Sequence, residues 1–214
     1  MSRKILIFAT EIEAYVTLCH LKIKSFSLEK NTTSKQRTPL AYLFDEGLIV
    51  ISGVGINAAE QAVYKYFSHD FKEIWNFGMA GALQDTFSIG QIFEIGMIGK
   101  YHYPQFNQST IETNNSESFI FKKGARLVSS YFPIHHETHR NYLRQNWELV
   151  DMEGYGIAYA ASSLKISCRI WKIVSDFASP GGKKIIQTNK MMISKSIFKL
   201  VTKLLDADRS PFHC

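Results

Sequence analysis

The chain has 214 residues, of which 45% are apolar, 13% aromatic and 21% charged, with 13 Gly and 5 Pro. That composition supports one globular core and excludes a disordered, collagen-like or coiled-coil protein. A formal net charge of +6 arises from 25 Lys and Arg against 19 Asp and Glu, an excess that serves solubility and leaves weak binding of anions or nucleic acid open.

No apolar run approaches the roughly 18 to 20 residues that cross a bilayer, and Ile5–Ala9 is too short for the core of a signal peptide. A cytoplasmic protein without membrane contact is expected. Cys19, Cys168 and Cys214 lie far apart and form no CxxC, which points to neither a disulfide framework nor a zinc site and fits a reduced compartment.

KILIFA (Lys4–Ala9) reads as a buried first strand, and Glu11–His20 as the helix that follows it. Lys22–Pro39 is rich in Lys, Ser and Thr, a loop with a poorly defined strand inside it. From Leu48, LIVIS is a second buried strand, GVGIN a turn, and AAEQAVYKYF a helix with apolar residues at helical spacing. EIWNFG gives a third strand, and GQIFEIGMIG a run of strand character punctuated by glycine. Gln105–Ser118 has little apolar content and no period, so a surface loop able to cover a site is expected there. Ala125–Ser129 predicts a short strand and His135–Gln145 a polar helix. WELVDM is another strand, running into GYGIAYAASSL, a helix of small residues that is apolar on nearly every side and therefore buried. CRIWKIVS is the last strand, ending in Ser175 and Asp176, and a basic amphipathic helix over Asn189–Leu205 closes the chain. Strands and helices alternating without a linker predict a single α/β domain over residues 1–214.

Ligands of open α/β sheets bind beyond the carboxyl ends of the strands, which singles out Glu11 and Glu13, Ser52–Gly55, Gly78–Gly81, Asp176, and the Asp151-Met152-Glu153 run. Each has a structural reading too. Thr10 and Glu13 have the spacing of a helix capping box, and spacing alone does not separate that role from catalysis. Glu153 opens an apolar helix whose dipole favours a carboxylate, yet Gly154, Gly156, Ala158, Ala160 and Ala161 offer it few partners, which favours a pocket. Asp176, following Ser175 at the end of a buried strand, has the pattern of a cap for the next helix. Gly53–Ala58 matches the dinucleotide fingerprint GxGxxA, but no acidic residue follows the next strand to hold a ribose; both glycine pairs read as turns that admit a ligand or a packed helix. HHETH (His135–His139) lacks the HExxH spacing of zinc proteases and reads as an exposed helix start. Lys190, Lys195, Lys199 and Lys203 read as a solvated helix face. Neither GxxxxGK[ST] nor GxSxG occurs, which weighs against nucleoside triphosphatase and serine hydrolase chemistry.

Five of these segments together resemble one family. KILIFATEIEA resembles the first strand and acidic turn of the 5'-methylthioadenosine/S-adenosylhomocysteine nucleosidases, and ISGVGINAAEQAV their strand, glycine turn and helix. IWNFGMAGALQDTFSIGQIFEIG resembles the segment that crosses their purine and ribose sites. VDMEGYGIAYAA and WKIVSDFA resemble their ribose-binding and base-binding signatures. Order and spacing agree over nearly the whole chain, residues 22–40 and 104–135 being least alike, and the aminofutalosine or futalosine hydrolases share the pattern. The resemblance implies a nucleoside phosphorylase-like fold: one three-layer α/β/α domain with a mixed central sheet. It also implies a homodimer acting on a small-molecule nucleoside, with no cofactor, no metal and no nucleic-acid partner.

Hydrolysis of an N-ribosidic bond develops positive charge on the ribose and negative charge on the leaving purine, so the base must be protonated while water arrives from the opposite face, as in inverting glycosidases. By the resemblance, Asp176 is the general acid at purine N7, oriented by Ser175, and it must hold a proton when substrate binds, which burial favours. Glu13 positions and deprotonates the water. Glu153 grips the ribose hydroxyls with the Met152 side chain against the sugar, Met79, Ala80 and Gly81 line the purine and ribose sites, and Phe132 (less securely Tyr131) stacks on the base.

The chain departs from the family pattern at Met79, where a small residue is common, at Asp151, where Glu is frequent, and at Ser179, where a second acidic residue often follows the Ser-Asp pair. A hydrolase is expected rather than a phosphorylase, because Glu11 and Glu13 follow the first strand and no Arg lies between Arg3 and Arg37 to hold phosphate. A basic nucleic-acid module built on residues 22–37 and the terminal helix is the remote alternative; it lacks aromatics interleaved with the lysines. Lys100, His102, His135 and His136 could give the pocket for the 5' substituent a basic mouth, so acceptance of aminofutalosine as well as methylthioadenosine is expected.

Overall fold

The structure of the protein is a computed structural model and describes residues 3–27, 40–101, 118–121 and 124–209. The apolar run near the start forms β1 (Arg3–Phe8), whose alternate side chains are buried in opposite directions. Ile5 and Ile7 pack with Ala59, Val63 and Ile157 on one face of the sheet; Leu6 and Phe8 pack with Ala14, Ile193 and Ile197 on the other. A central parallel strand covered on both faces needs this continuous apolar run.

From there the chain makes α1 (Glu11–His20), β2 (Ser25–Ser27), β3 (Leu40–Phe44), β4 (Gly47–Ile51) and α2 (Ile56–Tyr66). It continues through β5 (Phe71–Ala82), β6 (Ile92–Tyr101), β7 (Ser118–Ile120), β8 (Ala125–Ser130) and α3 (Glu137–Leu143). The last elements are β9 (Leu149–Asp151), α4 (Gly154–Ser163), β10 (Ser167–Asp176) and α5 (Gly182–Arg209).

The ten strands of the described residues join one mixed sheet, with β5 paired in parallel to both β1 and β10. The path β10-β6-β8-β9-β5 returns on itself through the β5–β10 pairing, so these five strands close into a ring, while β1, β4, β3 and β2 extend from β5 as an open wing. Helices α1 and α5 cover one face of the sheet and α2 and α4 the other, giving three layers. α4 meets the start of α2 so closely that a Cβ on Gly156 would collide with the Ile56 carbonyl oxygen.

The strands and helices expected from sequence are present, with three differences. Leu40–Phe44 shows no clear pattern of its own, yet forms β3 because a two-residue turn at Asp45 and Glu46 folds it back on β4. Ser118, expected in a loop, opens β7, a three-residue strand held by pairing to β6. The terminal helix starts at Gly182, seven residues before the expected Asn189. Residues 28–39 and 105–117, read as loops from sequence, lie outside the described residues, as do His102 and Cys214. Lys195, Lys199 and Lys203 are exposed along α5, as a solvated face requires.

Candidate active site

Thr10 caps α1, and the capping box is complete: the Thr10 hydroxyl accepts the Glu13 N–H at 3.4 Å, while Glu13 Oε2 accepts the Thr10 N–H at 2.8 Å. Capping occupies only one of the two carboxylate oxygens. Glu13 is 4% exposed, and its Oε1 accepts the Met79 N–H at 2.8 Å, which ties the start of α1 to β5. The two readings of Glu13 are therefore compatible: the cap fixes the rotamer that delivers the other oxygen to the strand ends.

Facing Glu13 is a residue that sequence analysis passed over. Lys172 of β10 is 1% exposed, and its Nζ lies 2.7 Å from Asp151 Oδ2. Lys172 pairs with Gly78 across the sheet, and a Cβ placed on Gly78 would stand 3.1 Å from Glu13 Oε1 and 3.2 Å from Lys172 Nζ. The missing side chain at Gly78 thus leaves the space into which both charged tips converge. The signal was present in IWKIVS, where a lysine interrupts an otherwise apolar buried strand.

Asp151 ends β9 with both carboxylate oxygens engaged. Its Oδ1 accepts the Ser129 hydroxyl at 2.5 Å, and its Oδ2 accepts the Gly154 N–H at 2.9 Å besides Lys172. Ser129 in turn accepts the Tyr155 N–H at 2.8 Å, so the start of α4 is locked to β8 and β9. Two residues on, Glu153 occupies the N-cap of α4 without capping it. Its Oε1 instead accepts the Gly55 N–H at 3.0 Å, linking α4 to the glycine turn before α2. The helix-dipole reading of Glu153 gives way to a cross-link between two strand ends.

Burial, then the Asp151 charge, pushes the Glu153 carboxyl up to about 8, with Lys172 opposing and Glu13 adding to the rise. Burial acts in the other direction on Lys172, but Asp151, Glu153 and Glu13 outweigh it and hold the ammonium above the ordinary lysine value. The result is a buried group of three carboxyls around one ammonium ion.

Asp176 lies at the other end of this stretch of sheet. The register between β10 and β5 shifts between Val174 and Asp176, a bulge that re-aims the last side chains of the strand. Ser175 Oγ lies 2.7 Å from Asp176 Oδ1 and 3.3 Å from the Ala80 carbonyl oxygen. Asp176 Oδ2 accepts the Ala178 N–H at 2.9 Å, so the carboxyl closes a turn of its own, and the same oxygen lies beside Gly182 at the start of α5. Asp176 pairs with Gly81, and three residues of strand separate Gly81 from Gly78, about 10 Å.

Of the other expected site residues, Ala80 and Gly81 are buried on β5 between these two groups, and Met79 and Met152 are half-buried. Met79 packs against the core beneath α1 and α5. Phe132 follows β8 and is 60% exposed, so its ring is not buried with the carboxylates. Lys100 Nζ sits 4.9 Å from the centre of the Tyr155 ring, and His135 and His136 are exposed ahead of α3. No group of metal-ligating side chains occurs among the described residues.

No protein-family model matches the chain, and no curated protein matches it by sequence. Solved structures do match. An MTAN from Chlamydia trachomatis bound to MTA is 22% identical, with 97% of this chain and 99% of that one covered and a TM-score of 0.71. A futalosine hydrolase of Helicobacter pylori is 13% identical over 97% and 99% of the two chains, with a TM-score of 0.78. The 5'-methylthioadenosine/S-adenosylhomocysteine nucleosidase of Neisseria meningitidis, in complex with methylthio-immucillin-A, is 16% identical over 97% and 100%, with a TM-score of 0.79. The chain shares the fold of these proteins over 97% of its length.

Proposed function

We propose that the protein is a purine nucleosidase that hydrolyses the N-ribosidic bond of adenosine-type nucleosides, such as methylthioadenosine, S-adenosylhomocysteine or aminodeoxyfutalosine, and releases adenine. The observation that carries this reading is the division of the site. Carboxyl groups of Glu13, Asp151 and Glu153 gather around Lys172, which pairs with Gly78, and a separate carboxyl at Asp176 comes from the strand position beside Gly81, three residues further along β5. Cleavage needs an acid at the base and a water-activating group across the sugar, and the two ends of the site match that demand.

Asp176 donates a proton to purine N7 as the glycosidic bond lengthens, with Ser175 holding the carboxyl in place. Glu13, anchored by Thr10 and Met79, orients a water and takes its proton. Glu153 accepts the ribose hydroxyls beside Met152, and its negative charge, when ionised, stabilises the cationic sugar. Lys172 offsets part of the negative charge that the carboxylates would otherwise concentrate. Ala80 and Gly81 present backbone to the purine, Met79 narrows the ribose side, and Phe132 stacks on the base once substrate is present.

The whole chain acts as one nucleosidase domain, as a homodimer in the cytoplasm, without cofactor. The described cysteines, Cys19 and Cys168, are both free, in keeping with a reducing compartment. Val54, Tyr64 and Tyr159 are 56%, 43% and 40% exposed on the packed α2 and α4 region, and they supply apolar area for a second copy. With aminodeoxyfutalosine as its substrate, the enzyme would serve menaquinone biosynthesis.

The test is adenine release from methylthioadenosine and from aminodeoxyfutalosine, each with and without inorganic phosphate. Equal rates with and without phosphate are expected. Strict phosphate dependence would convert the reading to a phosphorylase, and absence of adenine release from every such nucleoside would overturn it.

A further inference from the structure

The turn that carries Asp176 is held from outside the site. Arg140 of α3 donates from Nε to the Phe177 carbonyl oxygen at 3.0 Å, one residue beyond Asp176. The same guanidinium donates from Nη2 to Asp85 Oδ1 at 2.5 Å, and Arg144, one helical turn later, donates to Asp85 Oδ2 at 2.6 Å. Gln84 completes the junction by donating to the carbonyl oxygens of Arg144 and Trp147, both at 3.0 Å. The loop after β5, the helix α3 and the turn after β10 are thereby joined through one side chain.

That turn needs support. Ala178 has φ of 48°, a left-handed conformation that is unfavourable for a residue with a Cβ. Its N–H supplies a hydrogen bond to Asp176 Oδ2, so the conformation of Ala178 and the rotamer of Asp176 depend on each other. The Arg140 side chain is 12% exposed, whereas Asp85 is 64% exposed. An anchored guanidinium fork fixes the carbonyl between Asp176 and Ala178 in a way that a flexible ammonium does not.

We infer that Arg140, braced by Asp85, is a positioning residue for Asp176: it acts through the Phe177 carbonyl and sets the direction in which the acid faces the leaving purine. This rests on the nucleosidase reading. The Arg140 guanidinium bonds to the Phe177 carbonyl oxygen and to Asp85, so its loss should lower turnover while leaving substrate affinity nearly intact.

The experiment compares kcat and KM for methylthioadenosine in the full chain, in Arg140→Gln, Arg140→Lys and Asp85→Asn, with Tm measured for each. Expected is a fall in kcat of about 10²-fold in Arg140→Gln, the scale on which a small misplacement acts, with KM within about threefold of the parent. Arg140→Lys should recover only part of the loss, because one ammonium cannot reproduce the fork. Asp85→Asn should lower kcat in the same sense but less, and its exposed position keeps the test available if Arg140→Gln does not fold. Unchanged kcat in Asp85→Asn and in whichever Arg140 variants fold, or losses in which kcat follows Tm and KM rises together with it, would overturn the inference. A parent protein that releases no adenine would overturn the nucleosidase reading instead.

Discussion

Glu153, which we propose holds the ribose hydroxyls, also burdens the fold. It is buried beside Asp151, Glu13 and Lys172, and its carboxyl is raised from 4.5 to about 8. A group whose folded value lies above its unfolded value contributes stability that is complete below the unfolded value and lost as pH rises through the folded one. The protein should therefore lose stability between about pH 4.5 and 8 on account of Glu153. Glu153→Gln removes that ionisation, so its Tm should gain on the parent as pH rises from 5 to 8, by roughly 10 °C for a few kcal/mol, while adenine release falls sharply. Parallel Tm profiles would show that Glu153 does not titrate in this window. Glu13 and Asp176 make the complementary case. Glu13→Gln and Asp176→Asn each keep shape and remove a proposed proton-transfer group, and on that proposal each should lower kcat by about 10³-fold with substrate still bound. For Glu13→Gln a near-normal rate would leave only the cap. The amide would also place an N–H₂ or a single acceptor where Thr10 and Met79 both donate, so a modest loss of about 1 kcal/mol in stability should accompany the kinetic effect.

The same residues are held where they are by contacts between elements, and here the sequence was legible in part. The boundaries of α1, the burial of β1 and the small-residue helix α4 follow from local pattern: a Thr-x-x-Glu start, a continuous apolar run, and a helix apolar on nearly every side. Glu13, Glu153 and Asp176 were legible as polar residues at strand ends, although pattern alone left Glu13 and Asp176 with a capping alternative and Glu153 with a helix-dipole one. β3 and β7 were not legible, because each depends on its pairing partner rather than on its own composition. Lys172 was missed because its partner Asp151 lies on another strand, and nothing in local spacing joins them. Its role at this scale is to tie β10 to β9: Lys172→Met would leave Asp151 buried without its counter-ion, and a destabilisation of about 3 to 5 kcal/mol in denaturant titration is expected. Gly156 tests the opposite kind of contact. Gly156→Ala drives a methyl group into the Ile56 carbonyl oxygen, and should cost more than about 2 kcal/mol although alanine favours helices. A neutral or stabilising Gly156→Ala would mean that α2 and α4 can separate without consequence.

Across the whole molecule, the site lies where the closed ring of β5, β10, β6, β8 and β9 meets the open wing of β1, β4, β3 and β2. β5 belongs to both: Glu13 reaches it from the wing through α1, whereas Asp151, Lys172 and Asp176 reach it from the ring. No single element contains the site, which is why a pairwise motif could indicate its residues but not their junction. The glycine turn before α2 adds a further connection, since its Gly55 N–H is held by Glu153. That connection bears on assembly, because the same turn and α2 present Val54 and Tyr64, and α4 presents Tyr159 beside the buried Tyr155. Large apolar groups so exposed are costly to leave in water when neighbouring elements carry them together, and burial at about 25 cal/mol per Å² rewards a second copy that covers them. In sedimentation at micromolar concentration the chain should therefore run at twice its 24.4 kDa mass. Tyr64→Glu combined with Tyr159→Glu places two desolvated charges against that surface and should shift the protein to monomer. If a second copy covers this surface, it meets Val54 in the same turn whose Gly55 N–H is held by Glu153, and adenine release should fall with the dimer fraction as the protein is diluted. A single species near 24.4 kDa in the parent would remove the dimer from this account. A dimer whose rate per chain does not change on dilution to monomer would separate assembly from the geometry of Glu153.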